Sequence, residues 1–122
     1  MFDVDAMAAG QNRRMMAEAL DIMVRFWTSD GPFEHRGEFW TARRPADEPP
    51  TRFHLQPYQK LHPPIAITTL SPGSSSPKVA GASGYLPVCI GPGDGYLRDK
   101  WRIVAEAADA AGRTAKRPDW RL

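Results

Sequence analysis

Apolar side chains recur every three or four positions near the start of the chain and predict an amphipathic helix over residues 12–28 with one buried face. Asp30, Gly31 and Pro32 follow, and they predict the end of this helix because proline cannot continue it. The apolar stripe consists of Met16, Ala19, Leu20, Met23 and Phe26 or Trp27.

Prolines are frequent between residues 33 and 64. They are Pro45, Pro49, Pro50, Pro57, Pro63 and Pro64. Because proline lacks an amide donor, this composition predicts a long irregular connection with one edge strand near residues 38–42. Connections of this length are uncommon in compact domains unless they serve function or packing, and the aromatic residues here favour a lid or packing flap.

Two short runs of apolar and β-branched residues, 65–70 and 85–90, are typical of buried strands in a parallel sheet. The first run is expected to be covered on both faces. Between the runs, Ser76 predicts the N-cap of a short helix that has Pro77 at its first position and ends at Gly84.

The residues after Gly95 again have helical spacing and predict a third helix that ends at Gly112. Its apolar face is formed by Leu97, Trp101, Val104, Ala105 and Ala108. A further strand is expected to begin within residues 119–122.

Strands that alternate with helices predict an α/β fold with a parallel sheet. Two predicted strands cannot bury the inner faces of three helices, and no strand is predicted before the first helix. We therefore expect residues 1–122 to form part of one domain that is truncated at both ends. The apolar faces left exposed predict oligomerisation or aggregation of the isolated chain.

The charge and composition of the chain disfavour some classes of binding partner. The chain carries 16 Lys and Arg against 14 Asp and Glu without a long basic run, which disfavours a nucleic-acid or membrane partner. Cys89 is the single cysteine, and no apolar run approaches the roughly 18 residues of a membrane span. Asp3 and Asp5 are untypical of a signal peptide, so a cytoplasmic localisation is expected.

The turn after the first predicted strand carries the strongest candidate chemistry. It contains Gly73, and it lies where a following helix directs free amides and the positive end of its dipole outward. Its hydroxyl groups belong to Ser71, Ser74, Ser75 and Ser76. These features fit a phosphate, but they fit an ordinary serine-rich cap and turn equally well.

The other candidate residues in the sequence are expected to have structural roles. Glycines at 91, 93 and 95 are spaced too closely for a dinucleotide fingerprint and indicate a turn. Cys89 lies among apolar neighbours and is expected to be an inert core residue. The histidines lack the spacing of a metal site, and they are His35, His54 and His62.

Several short motifs follow one another along nearly the whole chain, and their order is more specific than any one of them. They include Glu18-Ala19-Leu20-Asp21-Ile22-Met23, Gly37-Glu38-Phe39-Trp40, Gln56-Pro57-Tyr58-Gln59, His62-Pro63-Pro64-Ile65-Ala66-Ile67, Leu70-Ser71-Pro72-Gly73-Ser74-Ser75-Ser76 and Gly84-Tyr85-Leu86-Pro87-Val88. In this order they resemble the middle of the bacterial-luciferase-like flavin monooxygenases, in particular the limonene-monooxygenase-like and alkanal-monooxygenase-like branch.

This resemblance implies a (β/α)8 TIM barrel, of which the chain supplies about helix four to helix six. It also implies that reduced FMN binds at the C-terminal mouth of the barrel and uses O2 to oxygenate a small organic substrate such as an aldehyde, ketone or terpene. A separate flavin reductase as electron source and a dimeric full-length protein are implied as well.

In the family, the turn after strand five holds the flavin phosphate, and the matching positions here are Leu70, Ser71, Ser74 and Ser75. Luciferase itself has a glutamate where this chain has Leu70, so the resemblance implies a contact through the backbone amide at that position. The family's catalytic histidine and phosphate-binding arginine match no segment of this chain. No catalytic residue is therefore assigned.

Two alternatives stay open. A deazaflavin-dependent oxidoreductase of the same barrel superfamily transfers hydride without oxygen, so oxygen consumption separates it from a monooxygenase. The chain taken by itself is alternatively a catalytically inactive, truncated remnant.

Overall fold

The computed structural model describes residues 10–46, 57–70, 73–91 and 93–121. The chain divides into two compact units, Met1–Pro63 and Pro64–Leu122, and each is described by itself. Among the described residues, no helix combines the length and the apolar content that a bilayer-spanning segment needs.

Helix α1 of the first unit spans Gln11–Thr28, which confirms the helix predicted from the apolar stripe. It ends where the Ser29 amide donates to the Arg25 carbonyl oxygen at 3.0 Å. The prediction of a buried face is wrong, because no residue of α1 is buried, and Met16 and Met23 are 39% and 42% exposed. Phe33 of the hairpin that follows packs on Phe26 of the stripe, with ring centroids 4.8 Å apart, but the hairpin leaves Met16 and Met23 exposed.

The hairpin consists of β1, Phe33–Arg36, and β2, Thr41–Arg44, which pair in antiparallel orientation. The strand predicted near residues 38–42 overlaps β2, but the irregular connection predicted before it is wrong, because residues 33–36 form a second strand. The first proline of the segment is Pro45, so residues 33–44 retain every backbone amide for pairing. The part of the predicted connection at residues 47–56 lies outside the described residues.

One carboxylate of α1 holds the turn of this hairpin. Glu18 accepts hydrogen bonds from the Phe39 amide at 3.0 Å and from the Trp40 amide at 2.9 Å. It also lies 3.1 Å from Nε2 of His35, and its side chain is only 12% exposed. A Cβ at Gly37 would collide with this carboxylate and with the His35 ring, so the close approach requires glycine.

The environment of Glu18 favours its charged form. Burial by itself raises the pKa of the carboxyl group, but the hydrogen bonds from the two backbone amides and from His35 together outweigh burial. The pKa of Glu18 is therefore lowered from its ordinary value of 4.5. The hairpin is thus attached to α1 by a contact that depends on ionisation.

We expect the Glu18 contacts to make folding pH-dependent in acid. Because the folded-state pKa lies below the unfolded value of 4.5, the carboxylate stabilises the fold fully above pH 4.5. This contribution disappears as the pH falls through the lowered pKa. Glu18→Gln should lower the free energy of unfolding at neutral pH and remove this acid dependence. Urea denaturation at neutral pH and at a series of pH values below 4.5 measures both effects.

Glu38→Gln is the matched control in the same unit. Glu38 pairs with Arg14 at 3.1 Å, but both side chains are 55% exposed, and exposed pairs contribute little to stability. This variant should therefore keep the acid dependence of the wild type. Identical pH profiles for the wild type and Glu18→Gln would contradict the prediction.

The second unit contains the predicted β-α-β arrangement. Strand β3 spans Ala66–Thr69, helix α2 spans Ser76–Ser83 and strand β4 spans Leu86–Cys89. The two strands pair in parallel, with Ala66 opposite Leu86 and Thr69 opposite Cys89, which confirms the α/β class. Only the N-cap differs, because Ser75 and not Ser76 precedes the first helical residue.

Helix α3 spans Asp94–Ala110 and ends where Gly112 adopts a φ of 68°, as the sequence predicts. The Arg113 amide then donates to the Ala108 carbonyl oxygen at 2.8 Å. Arg121 forms an isolated parallel bridge with Val88, and this bridge lies within the range where a further strand is expected to begin. Residues 117–119 before it form a 3-10 turn.

Helices α2 and α3 pack against each other and against the sheet. The buried apolar residues among those described are Ile67, Ala80, Cys89, Val104 and Ala108. Burial alternates along β3, so the prediction that this strand is covered on both faces is wrong: the packed helices cover one face of the strand. On α3, Lys100 is 3% exposed, whereas Leu97 and Trp101 of the predicted apolar face are only half-buried.

A glycine sets the spacing of the two helices. A Cβ at Gly81 would collide with the Val104 carbonyl oxygen and would lie 3.0 Å from both the Ala107 Cβ and the Ala108 amide nitrogen. Close packing of α3 on α2 therefore depends on the missing side chain at this position.

Gly81→Ala should destabilise the second unit by about 1–3 kcal/mol, because the added methyl group has no space between the helices. Gly95→Ala is the matched control: Gly95 lies within α3, and a Cβ there meets nothing within 4 Å. The control should stabilise the helix by up to about 1 kcal/mol, since alanine has the higher helix propensity. Thermal unfolding should give changes of opposite sign, and equal changes would contradict the packing described here.

Candidate functional site

Parallel pairing brings the carboxyl ends of β3 and β4 to one edge of the sheet. Thr69, the last residue of β3, is 1% exposed, whereas the next residue, Leu70, is 62% exposed. Ile90, which follows β4, is 63% exposed. Ligands of open parallel sheets and barrels bind at this edge, so the residues that follow β3 and β4 form the candidate site.

The serines of the turn lie at the start of α2. The Ser74 hydroxyl donates to the Ser76 hydroxyl oxygen at 3.0 Å and accepts from the Ser76 amide at 3.2 Å. Its proton is thus directed at Ser76, and Ser74 donates to a ligand only by exchanging that partner. Ser71, which the sequence places in the same site, lies outside the described residues.

Ser75 occupies the N-cap position. Its carbonyl oxygen accepts from the Val79 amide at 3.1 Å, while its side chain makes no capping hydrogen bond within the described part of the chain. The hydroxyl of Ser75 is therefore not committed to closing the helix. Of the predicted serines that the structure describes, Ser75 is the one whose side chain is better disposed to donate to an anion.

Two helices begin at this edge, and they differ in charge. The first turn of α2 contains no acidic residue, whereas the first turn of α3 begins with Asp94. Helix N-termini attract anions through free amides and the positive end of the dipole, and a carboxylate at the same place opposes that attraction. The α2 end with its serines is therefore the better anion site of the two.

Thr69 and Tyr96 belong to this edge, and the sequence pattern did not single them out. The Tyr96 hydroxyl donates to the Thr69 carbonyl oxygen at 3.3 Å, and the Thr69 hydroxyl donates to the Val88 carbonyl oxygen at 3.3 Å. Cys89 Sγ lies 3.9 Å from the same Thr69 oxygen, and Cys89 is buried as predicted. Tyr96 lies about two helical turns before Val104 of the predicted apolar face of α3, and that spacing is a sequence signal for its inward position.

The polar groups behind the turn are shielded from solvent. Burial, and to a smaller extent the nearby Cys89 thiol, raises the pKa of Tyr96 above its ordinary value of 10.0. The Tyr96 hydroxyl therefore keeps its proton and remains a donor at neutral and mildly alkaline pH. Lys100 Nζ lies 5.1 Å from the centroid of the Tyr96 ring, and the lysine is 3% exposed.

A cavity of about 450 Å³ lies elsewhere in the second unit. Tyr85 and Leu86 line it, so it lies at the amino-terminal end of β4, away from the turn. Trp101, Arg113 and Lys116 complete part of its wall. Since ligands of parallel sheets bind at the carboxyl ends of strands, we place the candidate site at the turn and not at this cavity.

The histidines of the described ranges have structural contacts. His35 binds Glu18, and the His62 ring stacks on Trp27 with centroids 6.2 Å apart. His54 lies outside the described residues. Within the described part of the chain, no group of three or more His, Cys, Asp or Glu side chains is placed to hold a metal ion.

The model of the family described as luciferase-like monooxygenase matches residues 1–121. The 3,6-diketocamphane 1,6-monooxygenase of Pseudomonas putida is 34% identical over 110 residues, which cover 84% of this chain and 29% of that protein. Limonene 1,2-monooxygenase of Rhodococcus erythropolis is 29% identical over 115 residues, which cover 91% of this chain and 27% of that protein.

A solved structure agrees with these relatives. It is the oxygenating constituent of 3,6-diketocamphane monooxygenase from Pseudomonas putida, a type II Baeyer–Villiger monooxygenase in complex with FMN. It aligns with a TM-score of 0.80 and 32% identity over 93% of this chain and 32% of that chain. The chain thus spans less than a third of the length of the relatives it matches.

Proposed function

The chain belongs to the luciferase-like monooxygenase family, and we propose that it supplies the flavin-phosphate site of an FMN-dependent monooxygenase. The observation that carries this proposal is the serine turn between the carboxyl end of β3 and the acid-free N-terminus of α2. A structural relative at 32% identity is in complex with FMN, which supports the choice of cofactor.

The residues of the turn fit the terminal phosphate of FMN. A phosphate needs hydrogen-bond donors and positive potential, and the N-terminus of α2 offers both. We assign the donors to the Leu70 backbone amide and to the hydroxyls of Ser71, Ser74 and Ser75. The exposed Leu70 side chain carries no charge and does not repel the phosphate, unlike a glutamate at that position.

Reduced FMN, when bound, supplies the electrons that allow O2 to oxygenate a small organic substrate. The residues of this chain bind the phosphate and thereby orient the flavin at the sheet edge. The diketocamphane and limonene monooxygenases are named for cyclic terpenoid compounds, so we infer a ketone, aldehyde or terpene substrate. No catalytic residue is assigned among the residues of this chain.

We infer further that the full-length protein is a (β/α)8 barrel to which β3 and β4 contribute neighbouring strands. The TM-score of 0.80 with a luciferase-like relative supports this architecture. A separate flavin reductase supplies reduced FMN, and the protein acts as a cytoplasmic dimer.

The serine turn should contribute affinity for FMN but not for riboflavin, which lacks the phosphate. Ser71, Ser74 and Ser75, all changed to alanine in the full-length protein, should weaken FMN binding at least about 10-fold, because hydrogen bonds to charged groups contribute about 1.5–3 kcal/mol each. Quenching of flavin fluorescence measures both dissociation constants.

Ser83→Ala is the matched control for this variant, because Ser83 lies at the opposite end of α2. It should bind FMN and riboflavin as the wild type does. Equal FMN affinity in the triple variant and the wild type would show that the phosphate lies elsewhere.

The reaction should consume oxygen. With a flavin reductase, reduced nicotinamide and a cyclic ketone, we expect O2 uptake that is coupled to formation of an oxygenated product. An oxygen electrode together with mass spectrometry of the product tests this expectation. Substrate turnover under nitrogen with a reduced deazaflavin would instead favour the hydride-transferring alternative.

A further inference from the structure

Tyr96 connects the ends of the two parallel strands. Its hydroxyl donates to the Thr69 carbonyl oxygen at 3.3 Å, at the last residue of β3. Its ring lies against Gly91, two positions after β4, so closely that a Cβ at Gly91 would collide with the ring. The tyrosine therefore bridges two strand ends from the first turns of α3.

Thr69 is held from several directions. Besides the Tyr96 contact, its own hydroxyl donates to the Val88 carbonyl oxygen at 3.3 Å, and Cys89 Sγ lies 3.9 Å from the Thr69 carbonyl oxygen. Thr69 is 1% exposed, but the following residue, Leu70, is 62% exposed. The boundary between the immobilised strand and the open turn thus falls on the peptide that joins Thr69 to Leu70.

We propose that Tyr96 is a positioning residue for the flavin-phosphate turn, an inference that rests on the function proposed above. By holding the Thr69 carbonyl, the Tyr96 hydroxyl fixes the orientation of the peptide that carries the Leu70 amide. That amide is the first assigned donor to the phosphate. Tyr96 itself does not touch the phosphate.

The expected effect of Tyr96 is selective for the phosphate. A ligand gains affinity when its donors are held in place before it binds, since ordering them otherwise opposes binding. A neutral hydrogen bond contributes modestly, so loss of the Tyr96 hydroxyl should weaken FMN binding about 3- to 10-fold. Riboflavin makes no use of the Leu70 amide in this arrangement, so its affinity should not change.

Tyr96→Phe in the full-length protein tests the inference, because it keeps the ring against Gly91 and removes only the donor. The dissociation constants of FMN and riboflavin, and inhibition of FMN binding by inorganic phosphate, are the measurements. We expect weaker FMN and phosphate binding with unchanged riboflavin binding. A purely structural role would weaken all flavin binding and lower the melting temperature, and that result would overturn the inference.

Tyr85→Phe is the matched control, since Tyr85 lies at the opposite end of β4. It should leave both flavin affinities unchanged. Gly91→Ala supplies a second approach to the same contact, because the added methyl group displaces the Tyr96 ring while the hydroxyl is retained. It should reproduce the phosphate-selective loss, and wild-type FMN affinity in either Tyr96→Phe or Gly91→Ala would overturn the assignment.

Failure of the proposed function gives a different pattern from failure of this inference. If the wild type binds FMN no better than riboflavin, or if the triple serine variant keeps full FMN affinity, the phosphate site itself is wrong. If the serine variant loses FMN affinity as expected and Tyr96→Phe does not, only the role of Tyr96 is wrong.

Discussion

The parallel pairing of β3 with β4 is the contact on which the candidate site depends. Because both strands run in the same direction, Leu70 and Ile90 emerge at one edge, and α2 and α3 both begin there. The parallel bridge from Arg121 to Val88 continues the same arrangement on the other side of β4. The proposed phosphate site is thus a consequence of strand direction together with the serines that follow β3.

The packing behind this edge has a different chemistry from the edge itself. Gly81 lets α2 and α3 approach closely, and the small core residues Ala80 and Ala108 lie between them. Nearer the edge, the same surface of α3 carries Tyr96 and the buried Lys100. The helix pair is therefore apolar where it only packs and polar where it adjoins the proposed flavin site.

Much of the second unit was predictable because short-range rules govern it. The β-branched run before Leu70, the proline after Ser76 and the glycine at Gly84 each favour one local conformation, and the structure confirms the strands and helices they predict. The sequence pattern does not predict the hairpin of the first unit, because the prolines from Pro45 onward dominate the composition of residues 33–64 although residues 33–44 contain none. Its turn is bound by Glu18, which is distant in sequence from Phe39 and Trp40.

The sequence by itself determined the α/β class, the order of strand, turn and helix, and the family, because these depend on local conformational preference and on the order of motifs. Only the tertiary structure decided which groups hold the end of β3: the Tyr96 hydroxyl and Cys89 Sγ at the Thr69 carbonyl oxygen, and the Thr69 hydroxyl at the Val88 carbonyl oxygen. These contacts join residues whose proximity is set by strand pairing and helix packing. A pattern of hydrophobic and polar positions carries no information about such distances.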